Sequence, residues 1–298
     1  MVRQYKIHTN LDGTDDKVWD VTNGKVRFYQ PSNLGLQSTN NIWQSNGIGV
    51  MGTRSITQPQ IEFKLETFGE SLEENYQLMK DFVNDILNQK FVTLEYQTEI
   101  FQVYADLALA DVTKTEGYGK NGTFSEKITF DVITKWYTYE NLTFDNIQNG
   151  KVIAGKSKIY GGTAPGNYKY IKGVSYTYYG ETNIERLSRW DIKDEIFSFM
   201  GVLYPQLPKT PAGVRFLDDI GNEYTAIVFK TEQVQNYILI NTDVNDEIYQ
   251  GWNGTTSLNL FPVMDFERYR ARIIKKGQME LINLSKAEFK IKRKADFI

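Results

Sequence analysis

Most of the chain alternates apolar and polar residues with a period of two. Ile61, Phe63 and Leu65 interleave with Glu62, Lys64 and Glu66, and Ile128, Phe130 and Val132 with Thr129 and Asp131. Successive side chains of a strand point to opposite faces, so the pattern predicts strands with one buried face. Phe91, Val92, Leu94 and Tyr96, with the apolar residues around Val103, supply neighbours for an antiparallel sheet or sandwich.

One segment breaks the period. Ser71 and Glu74 have the spacing of a capping box, and Leu72, Tyr76, Met79, Val83 and Ile86 then recur every three or four residues. This predicts an amphipathic helix over residues 71–90, lying across a sheet with those side chains inward. About two heptads of stripe are too short for a coiled-coil seam to be the better reading.

Between Tyr137 and Gly150 the alternation lapses, and Asn149-Gly150 is a turn signal, which places a boundary between domains 1–137 and 138–298. From Lys151 to Met200, Tyr160, Tyr168, Tyr170, Tyr176, Tyr178 and Tyr179 sit among Gly161, Gly162, Gly166, Gly173 and Gly180. That mixture favours exposed hairpins with aromatic faces, while ordinary domain strands fit Tyr176 to Tyr179 equally well. The β pattern resumes through Val214 to Leu217, Tyr224 to Phe229 and Tyr237 to Ile240. It is expected again in Tyr269 to Ile274, Met279 to Leu284 and Ala287 to Ile291.

A length of 298 residues favours two domains, each with its own core. The 5 Trp, 19 Tyr and 17 Phe suit strands and protein contact surfaces as well as cores. No apolar run is long enough to cross a membrane, and the N-terminus lacks a secretory signal, so a soluble protein made in a cytoplasm is expected. The absence of Cys removes disulfides, Cys-ligated zinc, iron–sulfur clusters and cysteine nucleophiles, and one His cannot build a polyhistidine metal site.

The motifs that could carry chemistry are weak. GIGVMG at Gly47 to Gly52 and GYGKNG at Gly117 to Gly122 match Gly-x-Gly-x-x-Gly by letter, but neither follows a strand and opens a helix, so both read as loops or turns. His8 sits in what reads as the first strand, with no nucleophile elbow anywhere for a triad. Paired carboxylates for glycoside hydrolysis are available in any chain with 37 acids and discriminate little. Asp12, Thr14, Asp15 and Asp16, and Asp243, Asn245 and Glu247, offer oxygen ligands for calcium but lack the EF-hand pattern, so solvated turns are the better reading. The net charge of −3 argues against a strong grip on nucleic acid. Ten Lys and Arg between Arg268 and Lys294 could still meet a phosphate backbone or an acidic partner, or simply guard strand edges.

The order of the parts resembles a family over nearly the full length. A β-rich N-terminal domain with one capped helix precedes strands that pass through YTYYGE, VRFLDD and YILINTD, then SLNLFPVMDFERYRARI, to a final strand. This resembles the distal tail proteins of siphophages that infect Gram-positive bacteria, and most of all those of lactococcal siphophages. The resemblance implies a mainly β fold: an N-terminal ring-forming β-sandwich domain, then a galectin-like β-sandwich carrying an extension. It implies a structural hub at the distal end of the virion tail, a homohexameric ring around the tail channel. The ring's partners would be the tail tube protein, the tail-associated tip protein and receptor-binding proteins, with DNA passing through without specific binding. No enzyme activity, cofactor, metal or membrane insertion is implied.

The length after residue 137 exceeds a plain sandwich, and the Tyr- and Gly-rich stretch within 145–200 is the natural place for the surplus. Tyr168, Tyr170, Tyr178, Tyr179 and Trp190 are the expected grip on receptor-binding proteins. A lectin-like module that binds cell-wall saccharide through Trp252 or Trp190 is the alternative.

Overall fold

Strands dominate, as the alternation predicts. The computed structural model describes residues 3–13, 15–114, 125–144, 147–148, 151–152, 157–159, 175–177, 189–206, 211–230, 236–244 and 246–295. The chain divides into two units, Met1–Thr138 with Ala295–Ile298, and Tyr139–Lys294.

Unit 1 contains β1 (Gln4–His8), β2 (Val18–Asp20), β3 (Val26–Ser32), β4 (Gln37–Ser45), β5 (Ile48–Thr57) and β6 (Ile61–Thr67). These are followed by α1 (Leu72–Leu87), β7 (Val92–Gln97), β8 (Gln102–Thr113), β9 (Ser125–Val132) and the start of β10 (Tyr137–Phe144). Seven strands pair in the order β2-β1-β7-β8-β9-β6-β3, all antiparallel. The twelve-residue β8 serves three neighbours: Gln102 to Leu107 pair with β7, Leu107 to Thr113 with β9, with a bulge between Leu109 and Asp111, and Tyr104 with Tyr137 at the start of β10. β6 alternates buried and half-buried residues along its whole length, which puts Ile61, Phe63 and Leu65 into the core beside Phe28, Leu94, Ile128 and Phe130.

α1 starts where the capping box places it. Ser71 Oγ accepts a hydrogen bond from the Glu74 backbone N–H at 3.1 Å, and the Glu74 carboxylate accepts one from the Glu70 N–H at 2.7 Å. The buried face differs from the predicted stripe. Asn75, Phe82 and Ile86 are buried, with Leu78, Met79 and Val83 partly covered, whereas Leu72 and Tyr76 are exposed. Phe82 sets this orientation by packing edge-on against Trp19 and Phe28. Buried Asn75 accepts a hydrogen bond from the Gly69 N–H at 2.6 Å and so ties the preceding loop to the helix.

Unit 2 begins in β10, which continues as a strand to Phe144 where the sequence pattern had lapsed. Two short pairs follow, β11 (Ile147–Gln148) with β12 (Lys151–Val152) and β13 (Ser157–Ile159) with β14 (Ser175–Thr177). The body of the unit comprises β15 (Arg189–Ile192), β16 (Ile196–Pro205), β17 (Ala212–Leu217), β18 (Glu223–Phe229) and β19 (Tyr237–Asn241). It continues with β20 (Ile248–Asn253), β21 (Thr256–Asn259), β22 (Gly277–Ile282) and β23 (Leu284–Lys294).

One sheet runs β10-β23-β16-β19-β20-β21 and the other β15-β22-β17-β18. Phe199, Leu203, Ile240, Tyr249 and Phe289 of the first meet Val214, Phe216, Phe229 and Met279 of the second in a common core, which makes the unit a β-sandwich. Residues 269–274 form no strand. Thr225 Oγ1 instead accepts hydrogen bonds from the Arg270 and Ala271 N–H groups, both at 3.1 Å, and a single bridge joins Ile274 to Ile196. A side chain has replaced the ladder that the alternation predicts.

Candidate functional site

The most unusual surface of unit 1 is the hairpin β4–β5. Its two strands pair only with each other, and every residue from Gln37 to Ser45 and from Ile48 to Thr57 is exposed. Asn46 and Gly47 form the turn, with φ of 51° and 80°, and Ser45 pairs with Ile48 across it. Asn-Gly is the preferred sequence for such a two-residue turn, because both positions require left-handed backbone. Of GIGVMG only Gly47 is a turn residue; Ile48 to Gly52 belong to strand β5, where the sequence reads as loop or turn, because Ile48 to Met51 pair back onto β4 once Asn46-Gly47 reverses the chain.

The hairpin is apolar on both sides. Trp43 pairs with Val50 and Ile42 with Met51, so Trp43, Val50 and Ile48 lie on one face and Ile42 and Met51 on the other. Trp43 is 70% exposed and Ile48 71%. An isolated two-stranded hairpin is marginal in water, and an exposed apolar patch of this kind marks an interaction surface. Its sequence signal was the Asn46-Gly47 pair between two strand-like runs.

Of the residues predicted to grip partners, Tyr168, Tyr170, Tyr178 and Tyr179 lie outside the described residues. Trp190 stands in β15 opposite Met279 and packs, partly buried, against the core of unit 2. The second glycine motif, Gly117 to Gly122, also lies outside the described residues.

His8 lies between two carboxylates in unit 1. Its Nδ1 is 2.7 Å from Asp16 Oδ2 and its Nε2 is 2.9 Å from Glu95 Oε2, while Lys6 Nζ sits 2.9 Å from Glu95 Oε1. Burial pushes the Glu95 carboxyl up, but its bonds to Lys6 and His8 outweigh that and hold it below its ordinary value. His8 is thus committed to structure, and no nucleophile adjoins it among these contacts.

Asp16, Asp243 and Glu247 of the acidic loops are engaged in the same way. Asp16 also accepts from the Asn10 N–H at 3.0 Å. In the second loop Asp243 pairs with Lys292 at 2.9 Å and Glu247 meets Arg272 and the Tyr249 hydroxyl, while Thr14 and Asn245 lie outside the described residues. Among the described residues no group of three His, Asp or Glu side chains is placed to hold a metal ion.

The basic stretch is largely paired within unit 2. Arg268 holds Glu223 with two hydrogen bonds at 2.7 and 2.6 Å, and Lys286 meets Glu288. Arg293 reaches Glu140 and Asp194, and Lys294 reaches Glu195. With Arg272 and Lys292, six of its ten cations therefore have carboxylate partners. Pairing of these six reduces the charge that the strip offers to a phosphate backbone.

The comparisons with known proteins cover the chain from end to end. A family model described as the N-terminal domain of the distal tail protein matches residues 4–133, and one described as the C-terminal domain of Dit matches residues 135–298. The chain is 94% identical over 298 residues to the distal tail protein of Lactococcus phage p2 and 92% identical to that of Lactococcus phage SK1, with all of each chain covered. A chain in the solved structure of the phage p2 baseplate in its activated conformation with Ca is 94% identical, with a TM-score of 0.79 and all of both chains covered. The crystal structure of SPP1 Dit aligns with 98% of this chain and 99% of its own at a TM-score of 0.53 and 10% identity, a likeness of fold alone.

Proposed function

The chain belongs to the distal tail protein family, structural proteins of the phage baseplate at the end of the virion tail, and we propose that it works there as a ring-forming hub. In this reading six copies close around the tail channel. The ring joins the tail tube protein to the tail-associated tip protein and anchors receptor-binding proteins, and DNA passes through it without specific contacts. Unit 1, taken as a ring-forming domain of residues 1–137, supplies the ring, and the sandwich of residues 138–298 supplies the outward attachments.

The observation that carries the ring is the hairpin β4–β5. Its apolar residues find no cover within unit 1, and a neighbouring copy would bury Trp43, Ile48 and Val50 on one face and Ile42 and Met51 on the other. The internal pairing of six of the ten basic residues between Arg268 and Lys294 supports a hub that lets DNA pass. This reading assigns His8 a structural role, held by Asp16 and Glu95.

Attachment of receptor-binding proteins is assigned to the segment within 145–200, through Tyr168, Tyr170, Tyr178 and Tyr179, with Trp190 at its base. Two alterations test the division of labour. Trp43→Asp with Ile48→Asp is expected to abolish ring formation and leave both units folded. Deleting residues 155–185 is expected to leave the ring and abolish capture of the receptor-binding protein. Rings that survive the double substitution, or capture that survives the deletion, would refute the corresponding assignment.

A further inference from the structure

The outer face of the sheet β23-β16-β19-β20-β21 carries an aromatic row that the hub role leaves unused. Lys286 stands opposite Tyr204, Tyr237 opposite Trp252, and Trp252 opposite Ser257. The Tyr204 and Tyr237 ring centroids are 6.4 Å apart. Those of Tyr237 and Trp252 are 6.2 Å apart with their planes only 14° from parallel, and Lys286 Nζ lies 5.3 Å from the Tyr204 ring. All three rings are half-buried on the side away from the sandwich core. Neither tyrosine hydroxyl nor the Trp252 indole N–H has a partner among the described residues.

The next row of the same face is amphipathic. Glu288 pairs with Val202, Val202 with Leu239, Leu239 with Gln250, and Gln250 with Asn259. A hollow of about 360 Å³ opens over Met200, Val202 and Leu239, edged by Asn141, Glu288 and Lys290. The charges beside it are drawn into internal contacts: Lys286 is paired with Glu288, Lys290 Nζ lies 4.1 Å from the Tyr139 ring, and Lys292 is paired with Asp243.

We propose that this face binds a neutral oligosaccharide, with pyranose rings stacked on Trp252, Tyr237 and Tyr204. A pyranose presents a flat C–H face to an aromatic ring and a rim of hydroxyls to groups in its plane. The row meets both needs, because its three rings follow one another at 6.2 to 6.4 Å across neighbouring strands and amide, hydroxyl and carboxylate groups of Gln250, Ser257, Asn259 and Glu288 border them. Internal pairing of the local charges fits an uncharged occupant. Trp190, the other tryptophan considered for such a role, packs against the core and is unsuited to it. The site lies within unit 2 and is independent of ring closure.

The test is titration of the full-length chain with maltohexaose, chitohexaose and a rhamnose-containing hexasaccharide, followed by calorimetry and tryptophan fluorescence. Saturable binding of at least one is expected. Trp252→Ala and Tyr237→Ala should each weaken it by about tenfold, and Trp252→Phe, which keeps a stacking ring, by no more than about threefold. Leu87→Ala, at the exposed end of α1 in unit 1, should leave it unchanged. No binding of any of the three probes, or binding undiminished in both alanine variants, would overturn the proposal. So would loss of tail-protein attachment in Trp252→Ala when the unaltered chain binds no saccharide, which would make the row a protein interface.

Discussion

Asn46 and Gly47 share left-handed backbone, with φ of 51° and 80°, and this pair alone turns β4 back on β5. The turn is what fixes the register that sets Trp43 beside Val50 and Ile42 beside Met51. A local conformational preference thereby shapes the surface on which assembly depends.

Gly47→Val places a β-branched residue in that conformation at a cost of about 1–2 kcal/mol, all of it local to the hairpin. Thermal unfolding of unit 1 should be unchanged, because the hairpin contributes nothing to its core. Ring formation, followed by native mass spectrometry, should fall. A lowered melting temperature with intact rings would contradict this.

Asp106 is fully buried, and its Oδ1 accepts hydrogen bonds from Thr93 Oγ1 at 2.8 Å and from the Tyr137 hydroxyl at 2.7 Å. Asp106→Ala leaves both hydroxyls without that acceptor in a dry interior and should cost unit 1 about 2–4 kcal/mol in chemical denaturation. Tyr137→Phe removes one donor and should cost less.

Glu95 gives unit 1 an acid-sensitive element. Burial raises its carboxyl, but the bonds to Lys6 and His8 prevail and lower it from the ordinary 4.5. A depressed carboxylate contributes stability that is present above its unfolded value and is lost as pH falls through the folded value. Unit 1 should therefore lose stability below about pH 4.5. Glu95→Gln should be less stable at neutral pH and show a shallower acid limb in melts recorded against pH.

Lys292 and Asp243 form a buried pair in unit 2, with 7% and 14% of their side chains exposed. Asp243→Ala removes the carboxylate beside the buried lysine and should cost up to about 3 kcal/mol, whereas replacing both residues by apolar ones should cost less. A double-mutant cycle on unfolding free energies measures the difference.

The legible parts of the fold were those in which a local pattern and its burial coincide. β6 alternates because one face meets the core, and Ser71 caps α1 through contacts within four residues, so both could be read directly. The buried face of α1 could not, because Trp19 and Phe28, far away in sequence, draw Phe82 inward and leave Tyr76 outside. Hairpin β4–β5 escaped notice for the opposite reason. Its apolar residues occupy both faces, which gives no alternation, and only Asn46-Gly47 marks it. In the basic stretch the charges could be counted, but their partners Glu140, Glu195, Glu223 and Asp243 come from other strands and loops. The aromatic row likewise arises from register, which places Tyr237 beside Trp252 across fifteen positions of chain.

The ring is tested most directly by reconstructing the tail tip of the intact virion by electron cryomicroscopy without imposed symmetry. The account predicts six copies of this chain around the channel, with Trp43 and Ile48 of each buried against the next copy. A different copy number, or hairpins left standing free in solvent, would contradict it.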